Sequence, residues 1–291
     1  MFNKKLLMVL SMTAISSTLL TGCFSNERDE VLIKANNEYT GGKYEEAKVD
    51  FEKAMRMKNF SEKEANYDKA YKDTLNKLWV QYYKDGDTQL EAKNFKSALD
   101  NYIKASSISD KDADLKETMK ITQGLLEEQN RLDDYLKFVN PIISSSNELL
   151  RSFNKDVDAT VAGTLSIEGF KNHVRAIIPK SNDIVAKIDD SFTAVDGDIA
   201  TIHQNLLILI QYQHRTFAMA LEGAPAKDLS ERYIGVKQKQ TELIQAIQKY
   251  ANDKQIAYRP NLDGTVGTTN SETNAENTAS NSSSSTETVP E

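Results

Sequence analysis

The chain has 291 residues, 39% of them hydrophobic and 27% charged, with a formal net charge of −7, one cysteine, five prolines and twelve glycines. A single cysteine excludes an intramolecular disulfide framework and any paired-cysteine redox or four-cysteine zinc centre. The negative balance argues against nucleic acid, which needs a clustered basic surface, and few prolines suit a helical chain better than a turn-rich sandwich or barrel.

Residues 1–23 have the physical parts of an export signal. Met1 to Lys5 is a short basic start, Leu6 to Leu20 carries no charge, and Thr21-Gly22-Cys23 ends the segment in small residues. The uncharged stretch is interrupted by Ser11, Thr13, Ser16, Ser17 and Thr18. It falls short of the roughly 20 predominantly apolar residues of a spanning helix, so a permanent transmembrane anchor is not expected.

The ending Leu20-Thr21-Gly22-Cys23 resembles the lipobox of bacterial lipoproteins, and the only cysteine of the chain stands at the lipobox position. The resemblance implies a signal peptide over residues 1–22 and cleavage between Gly22 and Cys23. It also implies a diacylglyceryl group on the Cys23 thiol and an acyl chain such as palmitate on the new N-terminus. Two or more chains anchor stably where one is marginal. As bare residues, the segment also fits a secretory signal that happens to contain a cysteine. Phe24 stands where an inner-membrane retention signal of the diderm kind would place Asp. Loss of Lys4 and Lys5 with the signal takes the net charge from −7 to −9. A polybasic grip on anionic lipid is therefore not expected, and the lipid becomes the whole attachment to the membrane.

Residues 23–111 carry a repeat. Tyr44-x-x-Ala47-x-x-x-Phe51-x-x-Ala54 returns as Phe95-x-x-Ala98-x-x-x-Tyr102-x-x-Ala105. This spacing puts small and aromatic residues on one helical face, so a neighbouring helix can approach the alanines while the rings fill the space between. The pattern resembles the second helix of a tetratricopeptide repeat, and extending it backwards puts Ala35 and Gly86 at the small position of each first helix. The interval from Ala47 to Ala98 is 51 residues, one and a half of that family's ~34-residue units. One extended helix over Ser61–Gln89 accounts for the excess, its end serving as the first helix of the second repeat. Arrays of this family bind peptides in the groove lined by their first helices. The resemblance therefore implies partner-binding roles for Asn36, Tyr39, Tyr83 and Asp87. Asn36 matches a place in the family's carboxylate clamp, but Leu32 stands where its lysine would be. As bare residues, the same four fit a solvated helix surface or packing against the extended helix. Two repeats are fewer than the three usually needed for stability alone, so something must cap them.

Residues 112–260 can supply the cap. Leu132, Leu136, Val139, Ile143, Leu150, Phe153 and Val157 recur at alternating intervals of three and four, with Ser146 filling one gap. Similar seams run from Val174 to Val195, from Ile199 to Leu221 (with Gln213 in one core position) and from Leu229 to Tyr250. Gly163, Gly169, Gly197 and Gly223-Ala224-Pro225 fall between them. Long helices with short connections make antiparallel neighbours, so the expected sum is a four-helix bundle. Pro141 and Pro179 lie inside helical runs, where each removes a donor and clashes with the preceding turn, so a kink or break is expected at both. The whole chain reads as all-α, tetratricopeptide-like hairpins followed by an antiparallel bundle or coiled coil.

From Asn261 to Glu291 the composition changes. Eighteen of these 31 residues are Ser, Thr or Asn, five are acidic and none is Lys, Arg or aromatic. Such a stretch cannot offset its ordering entropy by apolar burial and is expected to be a disordered tail.

Nothing in the chain assembles a catalytic constellation. His173, His203 and His214 lack the Glu-x-x-His pairs that a bundle metal site uses, and no phosphate loop, nucleophile elbow or zincin motif occurs. Asp133-Asp134 and Asp189-Asp190 fit solvated faces. The sequence therefore predicts no enzyme, no metal and no cofactor. It predicts an extracytoplasmic lipoprotein, anchored to a bacterial membrane, that engages an envelope protein or peptide as an interaction module or scaffold. An alternative is binding of a small ligand or envelope polymer by the C-terminal bundle, in a cavity near Pro141 and Pro179.

Overall fold

The structure, a computed structural model, describes residues 27–57, 64–109, 112–191, 197–261 and 265–269. Among these residues the chain is all-helical: α1 (Glu27–Thr40), α2 (Tyr44–Arg56), α3 (Glu64–Glu91), α4 (Phe95–Ile108), α5 (Ala113–Val161), α6 (Ile167–Ser191), α7 (Gly197–Leu221) and α8 (Ala226–Asp253). The chain divides into two compact units within α3, the first ending at Val80 and the second beginning at Gln81.

The first unit contains the hairpin of α1 and α2 with the first part of α3. Glu45 and Glu46 open α2 while Lys53 and Arg56 close it, each sign placed to complement the helix dipole. Leu32, Ala35, Ala47, Phe51 and Ala54 form the core, with Tyr39, Tyr67, Ala70 and Tyr71 packed against it. The ring of Tyr71 meets that of Phe51 edge-on at 5.7 Å.

The second unit opens with the end of α3 and α4. Its hairpin repeats the first at an offset of 51 residues. Ala98, Tyr102 and Ala105 are fully buried where Ala47, Phe51 and Ala54 are. The turns match bond for bond. Gly42 and Lys43 donate to the carbonyls of Tyr39 and Glu38, and Lys93 and Asn94 donate to those of Leu90 and Gln89. This is the Schellman closure, whose penultimate residue must take a left-handed conformation.

The same closure ends α5, α7 and α8, with Gly163, Gly223 and Gln255 in the left-handed place. Lys93 and Gln255 are the non-glycine residues that adopt it, at φ 60° and 59°. For L-residues that conformation costs about 1–2 kcal/mol. Gln255→Gly is therefore expected to raise the urea midpoint, by about 1 kcal/mol of stability, since Gln255 is exposed. Gly163→Ala and Gly223→Ala should lower it, because an added Cβ at either position meets nothing within 4 Å and only the backbone cost remains. A midpoint that falls in Gln255→Gly would contradict this account.

α5 to α8 form the antiparallel four-helix bundle that the heptad spacing predicts, with short connections at residues 162–166 and 222–225. Asp112 caps α5 by accepting from the Leu115 backbone N–H at 3.0 Å. The hairpin of α3 and α4 shares the bundle's core, into which Phe95 is buried with Leu90, Leu125 and Leu126 packed against it. Two polar residues that interrupt the apolar seams meet one another. Ser146 Oγ donates to Gln213 Oε1 at 2.7 Å, and Gln213 Nε2 returns a bond to the Ser146 carbonyl at 2.7 Å. Both are buried, so each satisfies what the other would otherwise leave unpaired.

Two expectations need correction. α5 and α6 run unbroken through Pro141 and Pro179. Both prolines lie on exposed faces, as do residues 137 and 175, one turn before them. Val139, Ile142 and Ile143 stay buried around the first. Burial contributes about 1.5–3 kcal/mol per side chain, against a helix penalty of about 3 kcal/mol for proline. Packing wins. Gly169 also separates no helices, lying instead in the first turn of α6, where its N–H donates to the Ser166 hydroxyl at 3.0 Å.

Ordered packing extends beyond Asn261. Residues 256–261 and 265–269 lie along α5, joined by an antiparallel bridge between Arg259 and Thr268. Gln129 donates to the Thr269 carbonyl and accepts from the Ala257 N–H, both at 2.9 Å. Asn140 donates to the Gly267 carbonyl at 2.9 Å and accepts from the Val266 N–H at 3.0 Å, while Asp133 accepts from the Thr269 hydroxyl at 2.9 Å. Ile256 and Val266, within this strap, are buried. Residues 270–291, the greater part of the tail, lie outside the described residues.

Candidate functional site

Gly22 and Cys23 lie outside the described residues, and so does the whole signal segment. Among the described residues no helix is long and apolar enough to cross a membrane.

The four positions expected to bind a partner, Asn36, Tyr39, Tyr83 and Asp87, are half-buried helix residues. In the first unit Tyr39 gives its hydroxyl to Asp73 Oδ2 at 2.8 Å, and that bond raises its pKa above the usual tyrosine value. Asn36 stands on the same helix, α1. In the second unit the Tyr83 ring meets Tyr102 edge-on at 5.8 Å. Asp87 accepts from the Tyr102 hydroxyl at 2.7 Å. Burial of Tyr102 and this bond together push the phenol pKa well up. Tyr39 thus ties α1 to α3, and Tyr83 and Asp87 hold α3 to α4, the packing role that their residue types equally fitted.

The histidines stand apart from one another in their contacts. His173 Nδ1 lies 3.2 Å from an Asp156 oxygen. His203 Nε2 lies 3.3 Å from the Ile188 carbonyl, between the rings of Tyr135 and Phe138. His214 Nδ1 lies 3.1 Å from Ser181 Oγ, and burial lowers its pKa. Among the described residues no group of three or more His, Cys, Asp or Glu side chains gathers as a metal site.

Besides a concavity of about 450 Å³ shared with the α3–α4 hairpin, two are lined by the bundle alone. One, of about 250 Å³, lies beside Pro141 between α5 and α6, with Phe138, Ile142, Ile184 and Lys187 in its walls. The larger, of about 380 Å³, opens at the end of the bundle where the α5–α6 and α7–α8 connections lie side by side. Each helix contributes one buried wall residue to it: Val157, Phe170, Ala220 and Leu229. Val161 and Ile167 flank it at 70% and 68% exposure, and Lys171 is its one charged lining residue.

Periodicity alone did not single out this cleft. A signal was present nonetheless, since Val161 and Ile167 are large β-branched residues on either side of the Gly163 turn, where polar residues are the rule. Comparison with protein-family models, curated proteins and solved structures gives no match for the chain.

Proposed function

We propose that this chain is a lipid-anchored, extracytoplasmic lipoprotein of the bacterial envelope, and that it serves as a protein-interaction module and not as an enzyme. The observation that carries the reading is the coincidence of the sole cysteine, Cys23, with the end of Leu20-Thr21-Gly22-Cys23 after a basic start and an uncharged stretch. Paired helical hairpins with a 51-residue repeat support the interaction role, since such hairpins offer extended helix faces to peptides. The partner is an envelope protein or peptide, approached from Asn36 and the surface around it.

Cys23→Ser tests the anchor. Wild-type protein is expected at the mature size and in the detergent phase on phase separation. The variant is expected as an unprocessed or released product that leaves that phase. A variant that keeps its membrane retention overturns the reading. In the same cells a photoreactive residue at Asn36 should give one discrete crosslinked adduct, and the same residue at exposed Asp68 should not.

A further inference from the structure

We propose that the cleft at the end of the four-helix bundle binds a single-chain amphiphile with a carboxylate head, a fatty acid by chemical class. The volume of about 380 Å³ lies within the range of about 300–1,000 Å³ typical of small-molecule sites. Its wall is already built, because Val157, Phe170, Ala220 and Leu229 are each 7% exposed or less and come from four different helices. Such a wall takes an apolar chain without rearranging the core.

The rim carries the second observation. Val161 and Ile167 are the most exposed large hydrophobics among the described residues, and both belong to this cleft. Single exposed apolar residues need no explanation, whereas a pair bordering one apolar hollow marks a binding surface.

The charge pattern identifies the head group. Several basic side chains near this end already have acidic partners: Arg175 with Glu168, Arg215 with Glu222 and Lys227 with Glu231. Lys171 lines the cleft, and among the described residues no carboxylate pairs with it. An ammonium beside an apolar hollow takes a carboxylate that arrives with an apolar tail. The proposal is independent of the lipid anchor.

The test is calorimetric titration of dodecanoate, kept below its critical micelle concentration, into the chain from Phe24 to Glu291. That chain contains every described residue. One dodecanoate is expected to bind per chain. Lys171→Glu should weaken it at least tenfold while leaving the affinity for uncharged dodecanol unchanged. Ala226→Trp, which fills the cleft from an exposed position, should abolish binding of both. Circular dichroism of the two variants matching wild type keeps the comparison free of misfolding. Absence of saturable binding, or equal affinity in wild type and Lys171→Glu, overturns the proposal. So does capture by phosphatidylglycerol vesicles with the same dependence on Lys171, or a dimer of the chain that Ala226→Trp dissolves.

Discussion

Phe153→Ala is expected to destabilise the bundle by about 3–5 kcal/mol, the range for truncating a fully buried phenylalanine. Phe153 is 1% exposed on α5. Its ring lies 5.0 Å from that of Phe217 on α7 and 5.8 Å from that of Phe170 on α6. Each tilted aromatic pair contributes about 0.5–1.5 kcal/mol beyond area burial, so the loss belongs in the upper half of the range. A falling urea midpoint at unchanged slope is the expected result. A loss below ~1 kcal/mol would mean that the three-ring cluster does not hold these helices together. Phe170 also forms a wall of the bundle-end cleft, so the same substitution should weaken ligand binding there.

Gly86→Ala is the second substitution with a large expected effect, and its sign is diagnostic. In an open helix the change would stabilise by about 1 kcal/mol. Here an added Cβ would stand 2.4 Å from Cε1 and 2.6 Å from Cδ1 of Tyr102. The ring cannot swing aside, being fully buried and tied through its hydroxyl to Asp87 at 2.7 Å. Overpacking of this kind costs about 1–3 kcal/mol, so the net result should be destabilising. Adding Tyr102→Ala should cancel the steric part, giving a double-mutant coupling of about 0.5–3 kcal/mol. A stabilised Gly86→Ala chain would refute the close approach. The first hairpin provides the contrast, since Ala35 already occupies the matching place with a Cβ opposite Phe51.

Much of this architecture was legible in advance because it depends on short-range spacing. The alternation of alanines with rings around Ala47 and Ala98 specifies which helix face is buried, whatever lies opposite. The extended helix expected over Ser61–Gln89 is found as Glu64–Glu91 for the same reason. The three-and-four spacing from Leu132 to Val157 likewise marks a seam before any partner helix is known. The site was less legible. Tyr39, Tyr83 and Asp87 were placed by a repeat pattern that describes position and not hydrogen bonding. Their bonds to Asp73 and Tyr102 appear only once the helices are packed.

What the sequence by itself determined is local: an all-helical chain, two equivalent hairpins and four bundle seams. Each follows from neighbours within about two helical turns, where backbone geometry dictates which side chains share a face. Tertiary structure alone decided the rest. It joined Ser146 to Gln213 across two helices, carried α5 through Pro141, and drew residues 265–269 onto Gln129, Asp133 and Asn140. It also set Lys171 beside an apolar cleft formed by residues from four helices. These outcomes turn on contacts between residues distant in sequence, and their combined burial and hydrogen bonding outweigh local costs that dominate in an isolated segment.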